Sequence, residues 1–182
     1  MKIIAFAGSN SSKSINKKLV TYTTTLFENY SIEILDLKDY EAPLYGIDIE
    51  NEMGPAVEAN LFLQKLKSAD IFIISLAENN GNYSVAFKNI IDWSSRVERA
   101  FFAKKPMLLM ATSPGTGGGN LVLEIAKNNL TRFDANIKAL YSLPSFEENF
   151  DSEKNVISNL KFDKQLKEIV IKFQYELNEK NV

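Results

Sequence analysis

Three short segments concentrate the residue types that hold small ligands through backbone amides and hydroxyls. They run Gly8-Ser9-Asn10-Ser11-Ser12-Lys13-Ser14-Ile15-Asn16, Leu76-Ala77-Glu78-Asn79-Asn80-Gly81-Asn82-Tyr83-Ser84 and Ser113-Pro114-Gly115-Thr116-Gly117-Gly118-Gly119. In the first, unpaired amides at a helix start, together with several hydroxyls, form an anion site. The helix dipole adds roughly 0.3–1 kcal/mol for an anion there. One glycine is too few for a dinucleotide fingerprint, and no Gly-Lys-Ser/Thr follows to make a nucleotide-triphosphate loop. The hydroxyl density suits a phosphate carried without Mg²⁺. Plain helix capping by Ser12 or Ser14 accounts for the same residues equally well. In the second segment Gly81 permits a positive φ, so the backbone can present N–H and C=O groups together, as the edge of a flat heterocycle requires. Taken alone, that segment is more simply a polar connection. The third holds four of the chain's eight glycines, which let a ring lie close to the backbone or merely make a mobile connection.

What is missing narrows the chemistry further. The 182 residues include no histidine and no cysteine. That removes Ser-His-Asp triads, thiol nucleophiles and thiolate metal sites, and leaves any demanding chemistry to a bound cofactor. Lys and Arg number 21 against 23 Asp and Glu, a net charge of −2. Such a balance carries no footprint for nucleic acid or an anionic membrane surface. No apolar run approaches the roughly 20 residues that span a bilayer. The opening run Ile3 to Ala7 is too short for a signal-peptide core, so a cytoplasmic location is expected.

The elements that must position the three segments alternate along the chain. Ile3–Ala7, Ile71–Leu76 and Met107–Ala111 are short apolar runs expected to be strands buried on both faces. Ile32–Leu37 alternates apolar and charged residues, as a half-covered edge strand does, and Ile137–Leu143 is a weaker fifth strand. Helices are expected from Ile15 to about Asn29 behind a Ser14 cap, and from Pro55 to Ser68 with Val57, Leu61 and Leu66 inward. A third is expected from Ser84 to Val97. A fourth spans Gly119 to Leu130 with Leu121, Ile125 and Leu130 in register. A last spans Phe162 to Leu177 with Leu166, Ile169, Phe173 and Leu177 on one stripe. Gly46–Gly54 and Phe146–Asn159 lack period and are expected to be loops too short to divide the chain. Five strands alternating with five helices specify an α/β fold with an open parallel sheet, and 182 residues suit a single domain. In such sheets ligands bind beyond the carboxyl ends of the strands, where the three segments lie.

The order and spacing of these motifs resemble the NADPH-dependent FMN reductase family, the flavodoxin-like quinone, azo-dye and chromate reductase group. That family carries G-S-x-R-x-x-S-x-N, matched by Gly8 to Asn16. It carries P-E-Y-N followed by a helix of form L-K-N-x-I-D-W, matched by Ala77 to Asn82 and by Phe87-Lys88-Asn89-Ile90-Ile91-Asp92-Trp93. A third motif, K-P before a strand and S-x-G-x-x-G-G after it, is matched by Lys105-Pro106 and Ser113 to Gly118. The resemblance covers roughly residues 1–143. It implies a flavodoxin-like three-layer sandwich with a five-stranded parallel sheet of order 2-1-3-4-5. It implies FMN held by Ser9, Ser11, Ser14, Ile15 and Asn16, by Ala77, Glu78, Asn79, Asn80 and Gly81, and by Ser113, Pro114 and Gly115. It further implies NADPH or NADH as hydride donor, a quinone, flavin or similar small molecule as acceptor, no side-chain acid or base, and a homodimer or homotetramer. Trp93, Phe101 and Phe102 are then either core or part of a subunit face. Three positions depart from the family pattern: Ser11 replaces an arginine, Ala77 a proline and Asn79 a tyrosine. They favour an alternative, a non-catalytic module of the same fold with weak or lost FMN binding. The intact frames of the second and third loops favour the enzyme.

Overall fold

A computed structural model describes residues 1–179. Five parallel strands form its sheet: β1 (Lys2–Gly8), β2 (Ser31–Leu35), β3 (Ile71–Leu76), β6 (Pro106–Thr112) and β7 (Asn136–Leu143), in the order β2-β1-β3-β6-β7. Two residue pairs, β4 (Glu78–Asn79) and β5 (Asn82–Tyr83), make a separate antiparallel hairpin, so the expected order 2-1-3-4-5 is the observed one. The two central strands are buried along their length because both faces are covered. On one face Ile4, Phe6, Phe72, Ile74 and Leu109 meet α3 (Val57–Lys67), α4 (Val85–Val97) and α5 (Asn120–Asn129). On the other, Ile3, Ala5, Ile73, Leu108 and Met110 meet α1 (Ile15–Thr24) and α7 (Leu160–Glu179). That alternation along each strand makes the three layers. Edge strand β7 carries a bulge at Lys138, since Met107 pairs with Ile137 and Leu108 with Ala139. A lysine in a bulge discourages a further strand from adding there.

Several elements differ from their sequence-based expectations, each for a local reason. Helix α1 stops at Thr24, not Asn29. Its last turn is rich in threonine, and Thr24 and Thr25 donate their hydroxyls to carbonyls three residues back, at 2.7 Å each. Such bonds compete with the helix ladder. Strand β2 ends at Leu35, and Asp36 caps a 3₁₀ turn over Leu37–Tyr40 by accepting from the Lys38 amide at 3.0 Å. Helix α3 starts at Val57, two residues past Pro55. It buries Ala59, Phe62, Leu63 and Leu66 while Val57 and Leu61 stay 66% and 47% exposed. The stripe carrying the aromatic ring took the core. In α5 the same shift buries Val122, Leu123 and Ala126 and leaves Leu121 62% exposed.

Both expected loops hold regular structure. Ile47–Met53 is a helix (α2), closed by Gly54 at φ 74° and tied through Glu50 to Arg96 and Tyr45. Residues 146–157 form α6 (Phe146–Asn149) and a hairpin of β8 (Phe150–Asp151) with β9 (Val156–Ile157). There Phe146 and Phe150 stack at 4.6 Å, with Phe150 edge-on to Tyr22 of α1. Trp93, Phe101 and Phe102 are core within the one chain, at 0–3% exposure, and present no subunit face. Phe101 stacks on Phe133, Phe102 meets Phe72, and the Trp93 Nε1 donates to the Pro43 carbonyl at 2.7 Å. The faces of α3 can be told apart by thermal or urea unfolding. Phe62→Ala is expected to cost about 3–5 kcal/mol, and Leu61→Ala no more than about 0.5 kcal/mol.

Candidate functional site

The parallel sheet carries β1, β3 and β6 side by side, so the loops that follow them emerge together. A depression of about 290 Å³ lies between them. Of the residues singled out in the sequence, Ser9, Ser11, Ser14, Ile15, Asn16, Ala77, Glu78, Asn79, Ser113 and Pro114 line it. Asn80, Gly81 and Gly115 do not, and Lys13 and Thr112 join it. Thr112, expected to lie just past the strand that ends at Ala111, is the last residue of β6 and was not singled out as a site residue.

The first loop is a chain of serine turns. The Ser9 hydroxyl accepts from the Ser11 amide and the Ser11 hydroxyl from the Lys13 amide, both at 3.2 Å. Ser14, not Ser12, caps α1: its hydroxyl accepts from the Lys17 amide at 3.1 Å and its carbonyl from the Lys18 amide at 3.2 Å. Each of these hydroxyls still has its own proton to donate. The Ser14 amide is spent on the Ser11 carbonyl. Among the described residues, that leaves the amides of Ile15 and Asn16 as the helix-start donors without a protein partner. With Lys13 alongside, the loop offers amide donors, hydroxyl donors and one cation to an anion.

The Asn16 side chain works inward. Its Oδ1 accepts from the Ser75 hydroxyl at 2.7 Å and the Thr112 amide at 3.0 Å, and its Nδ2 donates to the Thr112 carbonyl at 3.1 Å. It is 3% exposed. Both lone-pair directions of the oxygen are used, so the side chain holds α1 against the ends of β3 and β6, and the residue's main offer to a ligand is its backbone amide.

The second loop is a tight hairpin. Asn80 and Gly81 both take positive φ, 50° and 73°, as a two-residue Asn-Gly turn demands. That turn carries both residues out to the hairpin tip. Glu78 reaches across to the third loop, where its Oε2 accepts from the Val122 amide at 3.0 Å. Helix α5 begins at Gly119, which has no side chain to cap it, so Glu78 supplies the anionic cap from a neighbouring loop. Tyr83 lies beneath the hairpin against Phe87, and burial pushes its hydroxyl up to about 12. Ser84 caps α4 and donates to the Gly8 carbonyl at 2.7 Å. A Cβ on Gly8 would come within 2.9 Å of the Leu76 side chain and 3.3 Å of Phe87, so a larger residue at the end of β1 would require these side chains to shift.

The glycines of the third loop divide by role. Gly118 and Gly119 have positive φ and press on the sheet, where a Cβ would meet Ser142 Oγ at 2.4 Å or Ala111 Cβ at 2.6 Å respectively. These two serve packing, a correction to the expectation that they make room for a ring. Gly115 and Gly117 face open space. The loop is held from outside by α6, since the Phe146 amide donates to the Ser113 carbonyl at 3.0 Å and the Ser145 amide to the Gly115 carbonyl at 2.9 Å. No periodicity in residues 146–159 signals that contact.

Among the described residues no cluster of three acidic side chains could hold a metal ion, and no helix is long and apolar enough to cross a membrane. The arrangement fits a phosphate-bearing ligand with a flat head: anion donors at one end, and two loops with main-chain groups at the other.

Comparison with known proteins agrees with this geometry. Residues 1–144 match the model of the NADPH-dependent FMN reductase family. A probable NADPH:quinone oxidoreductase 1 of Oryza sativa subsp. japonica is 28% identical over 142 residues, covering 72% of this chain and 68% of that protein. A quinone reductase of Escherichia coli (strain K12) is 29% identical over 120 residues, covering 65% of this chain and 63% of its own length. Among solved structures, the NAD(P)H:(acceptor) oxidoreductase FerB of Paracoccus denitrificans superposes with a TM-score of 0.73 at 23% identity, covering 94% of each chain. The match over residues 1–144, on a sheet whose loops converge as such a site requires, shows that the chain belongs to the NADPH-dependent FMN reductase family.

Proposed function

We propose that residues 1–182 form a single FMN-binding domain that transfers reducing equivalents from NADPH or NADH to a quinone, a flavin or a similar small acceptor. The observation that carries this reading is the first loop, where the free amides of Ile15 and Asn16, the hydroxyls of Ser9, Ser11 and Ser14 and the ammonium of Lys13 all border one depression. Those groups hold the phosphate, and Lys13 supplies the cation that the family places at the position of Ser11. A lysine gives a point charge where an arginine would give a planar two-pronged clamp, so phosphate affinity is lower but not lost. The flavin ring would lie between the second loop, at Ala77 to Asn79, and the third, at Ser113 and Pro114, with Asn80, Gly81 and Gly115 at its outer edge. Ala77 and Asn79 leave that wall less rigid and less aromatic than a proline and a tyrosine would. When bound, FMN would supply acceptance of the donor's hydride at N5 and its passage onward to the acceptor, with the balancing proton drawn from solvent, so no side-chain acid or base is called for. Its own residues bind, orient and shield. Glu78 is committed to capping α5 and is a positioning residue in this scheme.

The same reading places the protein in the cytoplasm, with its dinucleotide donor, and as a homodimer. Leu121 leaves apolar surface beside the site at 62% exposure, which a second subunit would cover.

Three measurements check the proposal. After incubation with FMN and desalting, the protein is expected to stay yellow and to bleach when NADH or NADPH is added under nitrogen. A colourless protein contradicts it and favours the non-catalytic module that Ser11, Ala77 and Asn79 suggest. Lys13→Ala is expected to weaken FMN about tenfold, about 1.4 kcal/mol, with most of the difference gone at high salt. Light scattering on the eluted peak is expected to give about twice the 20.5 kDa chain mass, and a monomer would remove the subunit proposal.

A further inference from the structure

A second cavity, of about 410 Å³, adjoins the first and shares Asn79 with it. It lies between the 3₁₀ turn after β2, the segment leading from that turn to α2, and the first turn of α4. Leu37, Tyr40, Leu44, Val85 and Ala86 give it apolar walls. One wall is fixed by α4: the Asn89 Nδ2 donates to the Ala42 and Pro43 carbonyls at 3.0 Å each, and its Oδ1 accepts from the Tyr45 amide at 2.8 Å. A preformed cavity, rigid on one side and open to the flavin loops at Asn79, is shaped for the distal half of an elongated ligand whose other half lies over those loops.

Its charge is one-sided. Among the described residues, Glu41 is the one charged side chain that lines it, and no lysine or arginine does. Two lysines near it are engaged with carboxylates. Lys88 grips both oxygens of Asp92 at 2.7 and 2.6 Å. Lys17 bonds Asp36 at 2.5 Å. The Asn10 Nδ2 donates to Glu41 Oε1 at 3.1 Å, which ties the carboxylate to the phosphate loop and leaves Oε2 without a protein partner among the described residues. A carboxylate held at the rim of a nucleoside-sized cavity accepts from the two hydroxyls of an unmodified ribose and repels a 2′-phosphate.

We propose that this cavity binds the adenosine half of the dinucleotide donor and that Glu41 selects NADH over NADPH. The inference rests on the function proposed above and makes it more specific. Asn10 is the positioning residue, because it orients the carboxylate, and Glu41 is the specificity determinant.

The test is a calorimetric titration of the full chain with ADP-ribose and with 2′-phospho-ADP-ribose, run with and without added FMN. ADP-ribose is expected to bind at least tenfold more tightly. Glu41→Gln should lose most of that difference, and Glu41→Arg should reverse it. Both substitutions sit on an exposed side chain, and their melting curves should match that of the parent chain. In turnover, the parent should show a kcat/KM at least tenfold higher with NADH, inverted in Glu41→Arg. Equal binding of the two ribosides, preference for the phosphorylated one, binding of neither, or a ratio unmoved by Glu41→Arg each overturns the inference. If the chain fails to retain FMN, the proposed function falls instead, and the titration without FMN still reports on the cavity by itself.

Discussion

Asn16 stands at the first turn of α1 with its side chain turned away from the depression, toward the ends of β3 and β6. Its three hydrogen bonds, to the Ser75 hydroxyl and to both main-chain groups of Thr112, join α1, into which the first loop leads, to β3 and β6, from which the second and third loops depart. A parallel sheet brings strand ends together but does not fix the angle at which each chain leaves. One buried amide here does so, because its oxygen and nitrogen both find partners and an empty place would take a partner from three polar groups. Other ties cooperate with it. Ser84 anchors α4 to the Gly8 carbonyl, Glu78 caps α5, and α6 holds the third loop. Each loop is thereby bound by its neighbour's polar group as well as by its own turn.

That arrangement explains how a chain with neither histidine nor cysteine belongs to a reductase family. The groups bordering the depression are amides, hydroxyls, one ammonium and one carboxylate already engaged in capping. They suit holding and orienting a ligand that brings its own reactivity. The replacements at Ser11, Ala77 and Asn79 change how firmly a phosphate and a ring are gripped, and they leave the framework of strand ends and caps in place.

Much of this was legible in the sequence because the signals were strong and local. The buried strands announced themselves as short apolar runs, α/β alternation specified an open parallel sheet, and the strand order followed from the resemblance to the family. Ser14 and Ser84 were legible as caps, and the three loops as a group. The inward faces of α3 and α5 were not, since Val57, Leu61 and Leu121 have the right spacing and only packing decides between overlapping stripes. Helix α2 and the hairpin after β7 depend on long-range partners, Arg96 in one case and Tyr22 in the other, which no local pattern encodes. In the site, Asn16 and Gly118 have the residue types of ligand contacts. Their roles in tying strands and admitting close packing emerge only when Thr112, Ser75 and Ser142 are seen beside them.

The central claim is that a buried side-chain bridge, itself turned from the ligand, sets the geometry of the cofactor loops. Fluorescence titration of FMN into Asn16→Ala tests it directly, because the substitution keeps the backbone amide that faces the depression. Run well below the variant's melting temperature, it should show FMN affinity at least tenfold weaker than in the parent chain. An unchanged affinity would contradict the claim, since the loops would then hold their geometry without the bridge.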